Sequence, residues 1–231
     1  MKFMNKVLAV STCVAFAMST VSCELDNYSG PDAQIYGEVR DAETGELIQQ
    51  DLSGGSIIRY IEYGYENPDQ QSMNFKVDGT YRNNLMFSGT YDFYFEESNF
   101  QIPERLTEYK IKKGENRLDF EVIPYVRISD VSIVKEGDKI IANFKVTPTV
   151  DNNVRQVGLF GHPDFIVGNQ YALDRATVDV NESFNGQTRE YRLELGTGAF
   201  DAGEPCYFRV GAIVDVANSK YNYAPSVKLD L

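Results

Sequence analysis

The sequence contains no tryptophan, one histidine and three cysteines among its 231 residues. Three cysteines are too few for a disulfide-rich scaffold, and one histidine leaves too few ligands for a Cys/His zinc centre. Basic residues are also scarce, because 22 Lys and Arg face 34 Asp and Glu, for a formal net charge of −12. An acidic chain repels phosphates, so we expect no nucleic-acid partner. No long apolar run follows the N-terminus, which excludes several membrane-spanning helices.

Residues 1–22 have the composition of a bacterial signal peptide. Two lysines precede an apolar stretch over residues 7–21 that is too short to cross a membrane comfortably. The segment ends in Thr20-Val21-Ser22-Cys23, which resembles a bacterial lipobox except that threonine stands where leucine is usual. The resemblance implies that Cys23 becomes the lipid-modified first residue of the mature protein. An ordinary secretory signal cleaved nearby, with an incidental Cys23, is the alternative.

The mature chain is more acidic still, since removal of the two lysines gives 20 basic against 34 acidic residues, a net charge of −14. Lipidation of Cys23 would leave Cys206 as the one free thiol, so no intramolecular disulfide is expected. Residues 23–33 form a short polar tether whose early acids, Glu24 and Asp26, resemble the surface-export signal of Bacteroidetes lipoproteins. We therefore expect a protein anchored by lipid to the outer membrane and facing the cell surface.

The rest of the chain alternates apolar and polar residues with a period of two, which is typical of half-buried strands. No stretch has a clear helical period over three turns. One series of short strands and turns spans residues 34–124 and a second spans residues 125–231. This organisation predicts an all-β protein of two consecutive antiparallel β-sandwiches, joined near Pro124 and Tyr125.

Several turns can be placed from glycine and acidic residues. Residues 41–46 carry Asp, Thr and Gly and predict the turn of the first hairpin. Asp78-Gly79 is a strong short hairpin signal between two apolar segments. Residues 136–139 predict a third turn, in the second series.

The negative charge is unevenly divided between the two series. Residues 24–124 carry 20 acids and 9 bases, a net −11, whereas residues 125–231 carry 14 acids and 11 bases, a net −3. The segment nearest the expected lipid anchor is therefore the acidic one. Solubility and repulsion from anionic lipid explain this excess more simply than an acidic binding face does.

Family resemblances rest on ordered motifs. The strings at residues 37–41, 44–48, 78–81 and 88–91 resemble the transthyretin-like, carboxypeptidase-regulatory-like sandwich. Residues 202–212 resemble strand F of a fibronectin type III or immunoglobulin-like domain, whose tyrosine hydroxyl bonds back to the preceding turn. Together with residues 24–28 and 31–33, the first set resembles the DUF3823 family of Bacteroidetes lipoproteins, a family of unassigned biochemical function.

The DUF3823 resemblance also implies partners. Members of that family accompany a TonB-dependent importer and a surface glycan-binding lipoprotein in gene sets for polysaccharide use. The resemblance therefore implies an accessory role in capturing or importing glycan, through binding of polysaccharide or oligosaccharide or through docking on the importer. The membrane would be contacted through the lipid anchor.

No set of residues forms a catalytic or metal-binding motif. His162 stands alone beside a proline in a turn, and Cys206 precedes an apolar strand, so both are expected to be structural. Glu62, Glu96 and Glu97 offer carboxyl pairs of the kind that glycoside hydrolysis needs, but an acidic chain supplies such pairs by chance. Residues 151–153 lack the spaced acids of a calcium loop. We expect no enzyme activity, no cofactor and no metal.

Sugar binding calls for exposed flat aromatic rings beside polar groups. Without tryptophan, tyrosine must supply those rings. Tyrosine also populates sandwich cores, so a scaffold role is the alternative for each candidate. The candidates lie in polar, Gly- or Asn-containing segments: Tyr60, Tyr63, Tyr65, Tyr171, Tyr221 and Tyr223.

A fimbrial or adhesion subunit is the alternative to a glycan-uptake accessory. Such pilins also begin as lipoproteins with transthyretin-like sandwiches, and they need a removable first strand that a donor strand replaces. A basic cleavage site usually follows that strand. No Arg or Lys occurs between Cys23 and Arg40, and the strand that ends at Arg40 belongs to the sandwich motif itself, which disfavours the pilin.

Overall fold

The computed structural model describes residues 29–231, so the expected signal peptide and Cys23 lie outside the described residues. Within that range every regular element is a strand and no helix occurs, as the alternating pattern predicts. No described helix is therefore long and apolar enough to span a membrane. Residues 31–231 form one compact unit.

Eight strands build a first β-sandwich. They are β1 (Ala33–Asp41), β2 (Ile57–Glu62), β3 (Gln71–Asn74), β4 (Thr80–Met86), β5 (Gly89–Tyr94), β6 (Leu106–Ile111), β7 (Gly114–Arg117) and β8 (Phe120–Val122).

The two sheets of this sandwich have the orders β4-β1-β7, with β8 also beside β1, and β3-β2-β5-β6. The sandwich is not purely antiparallel, because β7 and β8 both run parallel to β1. After β6 the chain turns over the end of the sandwich and returns along β1 in the same direction. Inward positions of β1 alternate strictly with half-exposed ones, and their side chains join an aromatic core that includes Tyr81, Tyr91 and Phe93.

The turns predicted for this sandwich differ in what they connect. The turn after Asp41 closes a hairpin, since the Asp41 amide donates to the Glu46 carbonyl at 2.9 Å. Asp78-Gly79 forms a tight turn, since the Lys76 amide donates to the Thr80 carbonyl at 2.7 Å and the Gly79 amide donates to the Lys76 carbonyl at 3.0 Å. The strands on either side do not form the predicted hairpin, because β3 pairs with β2 and β4 pairs with β1 in the other sheet. Gly79, at φ 85°, makes a corner between the two sheets.

Eight further strands build a second β-sandwich. They are β9 (Val126–Glu136), β10 (Lys139–Pro148), β11 (Val154–His162), β12 (Asp174–Glu182), β13 (Arg189–Gly196), β14 (Pro205–Val214), β15 (Asn222–Tyr223) and β16 (Val227–Asp230).

The sheets of this sandwich have the orders β13-β10-β9 and β12-β11-β14-β15, with β16 also beside β14. β9 and β10 form the hairpin predicted at residues 136–139. Cys206, Phe208 and Val210 of β14 enter the core between the sheets. Tyr207 instead lies on the opposite face of β14, against the apolar cluster that includes Phe160, and among the described residues its hydroxyl makes no bond to the preceding turn. The fibronectin-like tyrosine arrangement is thus absent there.

Candidate functional site

The six candidate tyrosines divide into a buried and an exposed set. Tyr60, Tyr221 and Tyr223 expose only 6%, 7% and 6% of their surface, whereas Tyr63, Tyr65 and Tyr171 expose 42%, 63% and 38%. A stacked sugar ring needs an accessible aromatic face. The structure therefore leaves three of the six rings available for stacking and gives the other three a different role.

Tyr60 lies in the core of the first sandwich. It occupies an inward position of β2, and its ring centroid lies 6.1 Å from that of Tyr91 and 6.0 Å from that of Phe93. Its hydroxyl donates to the Gln71 side chain at 3.0 Å. Tyr60 is a core aromatic residue, which is the scaffold role that strand periodicity left open.

Arg209 lies fully buried where the two sandwiches meet, on the face of β14 that points away from the second core. A buried guanidinium must satisfy its donors, and Arg209 does so across both sandwiches. Its donors reach Ala224 O (2.8 Å), Gln50 O (2.9 Å), Val167 O (3.2 Å), Gln49 Oε1 (3.4 Å) and Val77 O (3.4 Å). Burial lowers the pKa of Arg209 to about 10, so the side chain stays charged at neutral pH.

Tyr223 packs against this arginine, and Tyr221 packs against Tyr223. The Arg209 guanidinium lies 4.3 Å from the Tyr223 ring centroid, and the Tyr223 hydroxyl donates to Asp51 Oδ2 at 2.7 Å. Tyr221 stacks on Tyr223 at 5.5 Å, and both rings meet Phe160 edge-on. Burial raises the pKa of Asp51 even though Tyr223 and Arg209 oppose it. These tyrosines therefore join the sandwiches.

Two asparagines make a second buried link between the sandwiches. Asn222 Nδ2 donates to the Asn99 carbonyl at 2.7 Å, and Asn99 Nδ2 donates to the Tyr221 carbonyl at 3.1 Å. The Asn99 side chain also bonds Gln50 and Ser56 within the first sandwich. Buried hydrogen bonds that run in both directions between the sandwiches favour one arrangement, so we expect the two sandwiches to move as one body.

The segment between β11 and β12 rests on this network. We call residues 163–173 the junction loop. Its Asn169 amide donates to the Tyr223 hydroxyl at 2.9 Å, and Arg175 Nη1 donates to the Asn169 carbonyl at 2.9 Å. A Cβ on Gly168 would lie 2.5 Å from Asp51 Oδ1, so only glycine allows this close approach. The buried network thereby fixes the middle of the junction loop.

The junction loop also presents apolar side chains to solvent. Phe165, Tyr171 and Leu173 expose 57%, 38% and 53% of their surface, and Leu52 of the adjoining first-sandwich loop exposes 38%. That adjoining loop is near, since a Cβ on Gly54 would lie 3.3 Å from Gln170. Polar residues are interspersed, among them the exposed Asp164, Gln170 and Arg175. Rings with flanking hydrogen-bonding groups are the elements of a sugar-binding surface.

Sequence reasoning found Tyr171 but missed Phe165 in the same loop. The signal was present in His162-Pro163-Asp164-Phe165, where an aromatic residue follows turn-forming residues outside any strand pattern. His162 itself is half-buried and its Nδ1 accepts the Asp164 amide at 2.9 Å, which is a turn role.

A groove of about 260 Å³ also lies between the sandwiches, beside the buried network, with Tyr223 and Asn222 in its lining. Arg127 crosses it and bonds Asp41 at 2.6 and 3.0 Å and Glu43 at 2.8 Å. Burial would raise the pKa of Asp41, but Arg127 and the Glu43 amide hold it below its usual value. The cation of this groove is therefore already paired.

Tyr63 and Tyr65 lie elsewhere, at the far end of β2. The Tyr63 hydroxyl donates to Asp92 Oδ1 at 2.8 Å, and Arg105 binds the other carboxylate oxygen at 2.8 Å. Burial alone would raise the pKa of Asp92, but the Glu108 amide, Tyr63 and Arg105 together hold it below its usual value. These two tyrosines do not share a surface with Tyr171.

Two of the three candidate acids, Glu96 and Glu97, are engaged in ion pairs. Arg59 contacts Glu96 at 3.3 Å and Glu97 at 3.2 Å, and Lys220 contacts Glu97 at 2.6 Å. Glu62 lies at the opposite end of β2. Burial raises the pKa of the Cys206 thiol. Residues 29–231 contain no group of three or more acidic, Cys or His side chains placed to hold a metal.

The fold defines a two-domain all-β protein. A family profile described as the N-terminal domain of a protein of unknown function, DUF3823, matches residues 33–123, and a domain of unknown function, DUF3823_C, matches residues 126–228. The chain belongs to the DUF3823 family. No curated protein matches it.

Solved structures share this architecture. A proposed carbohydrate-binding protein from Bacteroides uniformis is 32% identical and superposes with a TM-score of 0.78, over 87% of this chain and 100% of that one. Two DUF3823 family proteins have the same fold. One, from Bacteroides uniformis, is 18% identical with a TM-score of 0.74, and one, from Parabacteroides merdae, is 22% identical with a TM-score of 0.73. Each comparison covers 87% of this chain and 100% of the other.

Proposed function

We propose that this protein is a non-catalytic accessory of a glycan capture or import system and that it binds carbohydrate at the junction loop. One observation carries the proposal: two exposed aromatic rings, Phe165 and Tyr171, project from a loop that a buried network fixes. The likeness to a proposed carbohydrate-binding protein at 32% identity supports it.

The chemistry of the junction loop suits a sugar. A pyranose ring has an apolar face of C–H bonds and a rim of hydroxyls. The aromatic faces of Tyr171 and Phe165 can pack against the former, while Gln170, Asp164 and Arg175 offer donors and acceptors to the latter. A loop that is already held in place loses little conformational entropy on binding, which favours affinity.

The ion pairs of the candidate carboxylates agree with glycan capture without catalysis. Glu96 pairs with Arg59, and Glu97 pairs with both Arg59 and Lys220, so these two carboxylates are engaged in salt bridges. A retaining or inverting glycosidase needs one protonated acid near the sugar. We therefore propose that the chain retains glycan and leaves its cleavage to other proteins.

The location of the protein is part of the proposal. We place it on the outer membrane, facing the cell surface, with lipidated Cys23 as its anchor and with a TonB-dependent importer and a glycan-binding lipoprotein as its partners. The lipobox-like residues 20–23 and the family support this placement.

Radiolabelled palmitate should enter the wild-type protein and fail to enter a Cys23→Ala variant. Purification through a C-terminal tag from mild detergent should recover the two partners.

The fimbrial alternative meets an obstacle in β1. This first strand pairs with β4 on one side and with β7 and β8 on the other. Its removal would divide a sheet in the middle, whereas donor-strand exchange requires a strand that can leave.

Affinity electrophoresis tests glycan binding directly. The native protein should be retarded in gels that contain its polysaccharide, chosen from a panel of plant and host glycans. We expect Tyr171→Ala and Phe165→Ala each to weaken retardation about tenfold, since one lost stacking contact costs about 1.4 kcal/mol. Tyr65→Ala is the matched control, because Tyr65 is an exposed tyrosine in another loop. Unchanged binding by both junction-loop variants would contradict the proposed site.

A further inference from the structure

The end of the first sandwich at which the chain enters β1 combines three segments. Ala33 pairs with Met86 of β4 and with Gly114 of β7, and Gly89 of β5 pairs with Ile111 of β6. The turns at residues 87–88 and 112–113 therefore lie beside the start of β1. The junction lies at the other end of the same strands, because Ser56, before β2, and Asn99, after β5, belong to the buried network.

Asp32 fixes the entering chain to both turns. Its carboxylate accepts the Ser88 amide at 2.7 Å and the Ser88 hydroxyl at 3.0 Å, and it lies 3.3 Å from Lys113 Nζ. The Gly114 amide donates to the Asp32 carbonyl at 2.9 Å. Asp32 lies nine positions after Cys23 in the sequence. A fully extended chain of that length spans at most about 30 Å, so an anchor on Cys23 keeps this end near its membrane.

Two apolar side chains are exposed at this end. Leu85 exposes 75% of its surface, more than any other large apolar side chain among the described residues, and Phe87 exposes 41%. Leu85 lies at the end of β4, and the Phe87 carbonyl in the following turn accepts the Tyr91 hydroxyl at 2.9 Å, which fixes that turn. Exposure of this kind disfavours an isolated soluble state and favours a surface that something apolar covers.

Lysines surround these apolar side chains. Residues 24–124 have a net charge of −11 and contain four lysines. Three of these lysines lie here, at positions 110, 112 and 113. Among the acids of the same end, Asp32 contacts Lys113 and Glu115 pairs with Arg82 at 2.8 Å. Glu62, Glu66 and Glu108 also lie towards this end, because Glu62 pairs with Tyr91 and Tyr91 pairs with Tyr109. Within residues 29–231, Lys110 and Lys112 form no ion pair. Positive charge is therefore concentrated at this end of an otherwise acidic sandwich, where it can face anionic lipid.

We propose that this end docks on the lipid surface that carries the anchor. The anchor-end surface consists of Leu85, Phe87, Lys110, Lys112 and Lys113. Leu85 and Phe87 enter the boundary between headgroups and acyl chains, and the lysines contact lipid phosphates. The inference rests on the proposed lipidation of Cys23. It orients the molecule, because docking at this end directs the junction loop away from the membrane and towards external glycan.

The absence of tryptophan makes a direct test available. Phe87→Trp gives the acylated full-length protein a single indole at the anchor-end surface. Phe165→Trp, at a more exposed position in the junction loop, is the matched control. Both proteins are reconstituted on vesicles of phosphatidylethanolamine and phosphatidylglycerol with brominated acyl chains. We expect the Phe87→Trp protein to lose more than half of its emission and to shift to the blue, while the Phe165→Trp protein does neither.

Charge reversal provides the second arm. Lys110→Glu, Lys112→Glu and Lys113→Glu together, in the Phe87→Trp background, should abolish the quenching, whereas Lys76→Glu, which reverses the fourth lysine of this segment, should leave it unchanged. Mass spectrometry of the N-terminal peptide reports acylation separately. If both variants are acylated and their indoles are quenched equally, or neither indole is quenched, the proposed docking is wrong while the lipidation stands. A peptide without acyl chains would overturn the lipidation on which it rests.

Discussion

Replacement of Arg209 by methionine should greatly lower the free energy of unfolding. Methionine keeps most of the length and volume of the arginine stem but has no donors. The carbonyls of Ala224, Gln50 and Val167, now bonded at 2.8, 2.9 and 3.2 Å, would be buried without a partner. Each unpaired buried group costs about 1–3 kcal/mol. Part of that cost is offset because methionine, unlike arginine, buries no charge. We expect a net loss of about 3–5 kcal/mol.

Urea unfolding followed by circular dichroism measures this loss. Because Arg209 joins both sandwiches, we also expect the single transition of the wild-type protein to separate into two. Arg192→Met is the matched control, since Arg192 is exposed and pairs with Glu194 on the surface, and its loss should cost less than about 1 kcal/mol. If Arg209→Met unfolds in one transition within about 1 kcal/mol of the wild type, the buried network does not join the sandwiches.

Three further outcomes follow from local geometry. Gly168→Ala places a Cβ 2.5 Å from Asp51 Oδ1, so it should displace the junction loop and weaken glycan retardation as much as Tyr171→Ala does, with retained β-sheet circular dichroism as the control. The pKa of Asp92 is lowered in the folded protein, so the ionised carboxylate stabilises the fold at neutral pH, and this stabilisation is lost as the pH falls through the folded-state pKa. Between pH ~7 and pH ~3 the free energy of unfolding should therefore fall less for Asp92→Asn than for the wild type. An equal fall would refute the stabilising role of the Asp92 carboxylate. Cys206, 1% exposed and with a raised pKa, should react with a thiol reagent only after unfolding, and fast labelling of the native protein would contradict its burial.

Local pattern predicted much of the fold. Alternation along β1 and the apolar run of β14 identified strands, and the turns after Asp41 and Glu136 close hairpins as expected. β12 was not predicted, because its sequence is mostly polar and it lies at a sheet edge. The corner at Gly79 and the parallel β7 and β8 depend on which distant strand each segment meets. A local pattern does not contain that information.

The candidate site was only partly predictable for the same reason. Arg209 and Gln50 lie 159 residues apart, and Tyr223 and Asp51 lie 172 apart. Their contact depends on how the sandwiches meet, so Tyr221 and Tyr223 had the same sequence signal as an exposed pair of rings. Tyr171 and Tyr65 both lie in exposed loops, each beside a glycine-containing segment. The sequence did not show that one loop lies at the junction and the other at the far end of β2.

Hydrogen–deuterium exchange in the presence of the selected glycan tests the central claim most directly. The account predicts that saturating oligosaccharide slows exchange in peptides that cover the junction loop, residues 163–173, and the adjoining residues 51–55. It predicts no change in residues 63–70, where Tyr63 and Tyr65 lie. Protection confined to residues 63–70, or to the groove beside Arg127, would place the glycan elsewhere and contradict the junction loop as the binding site.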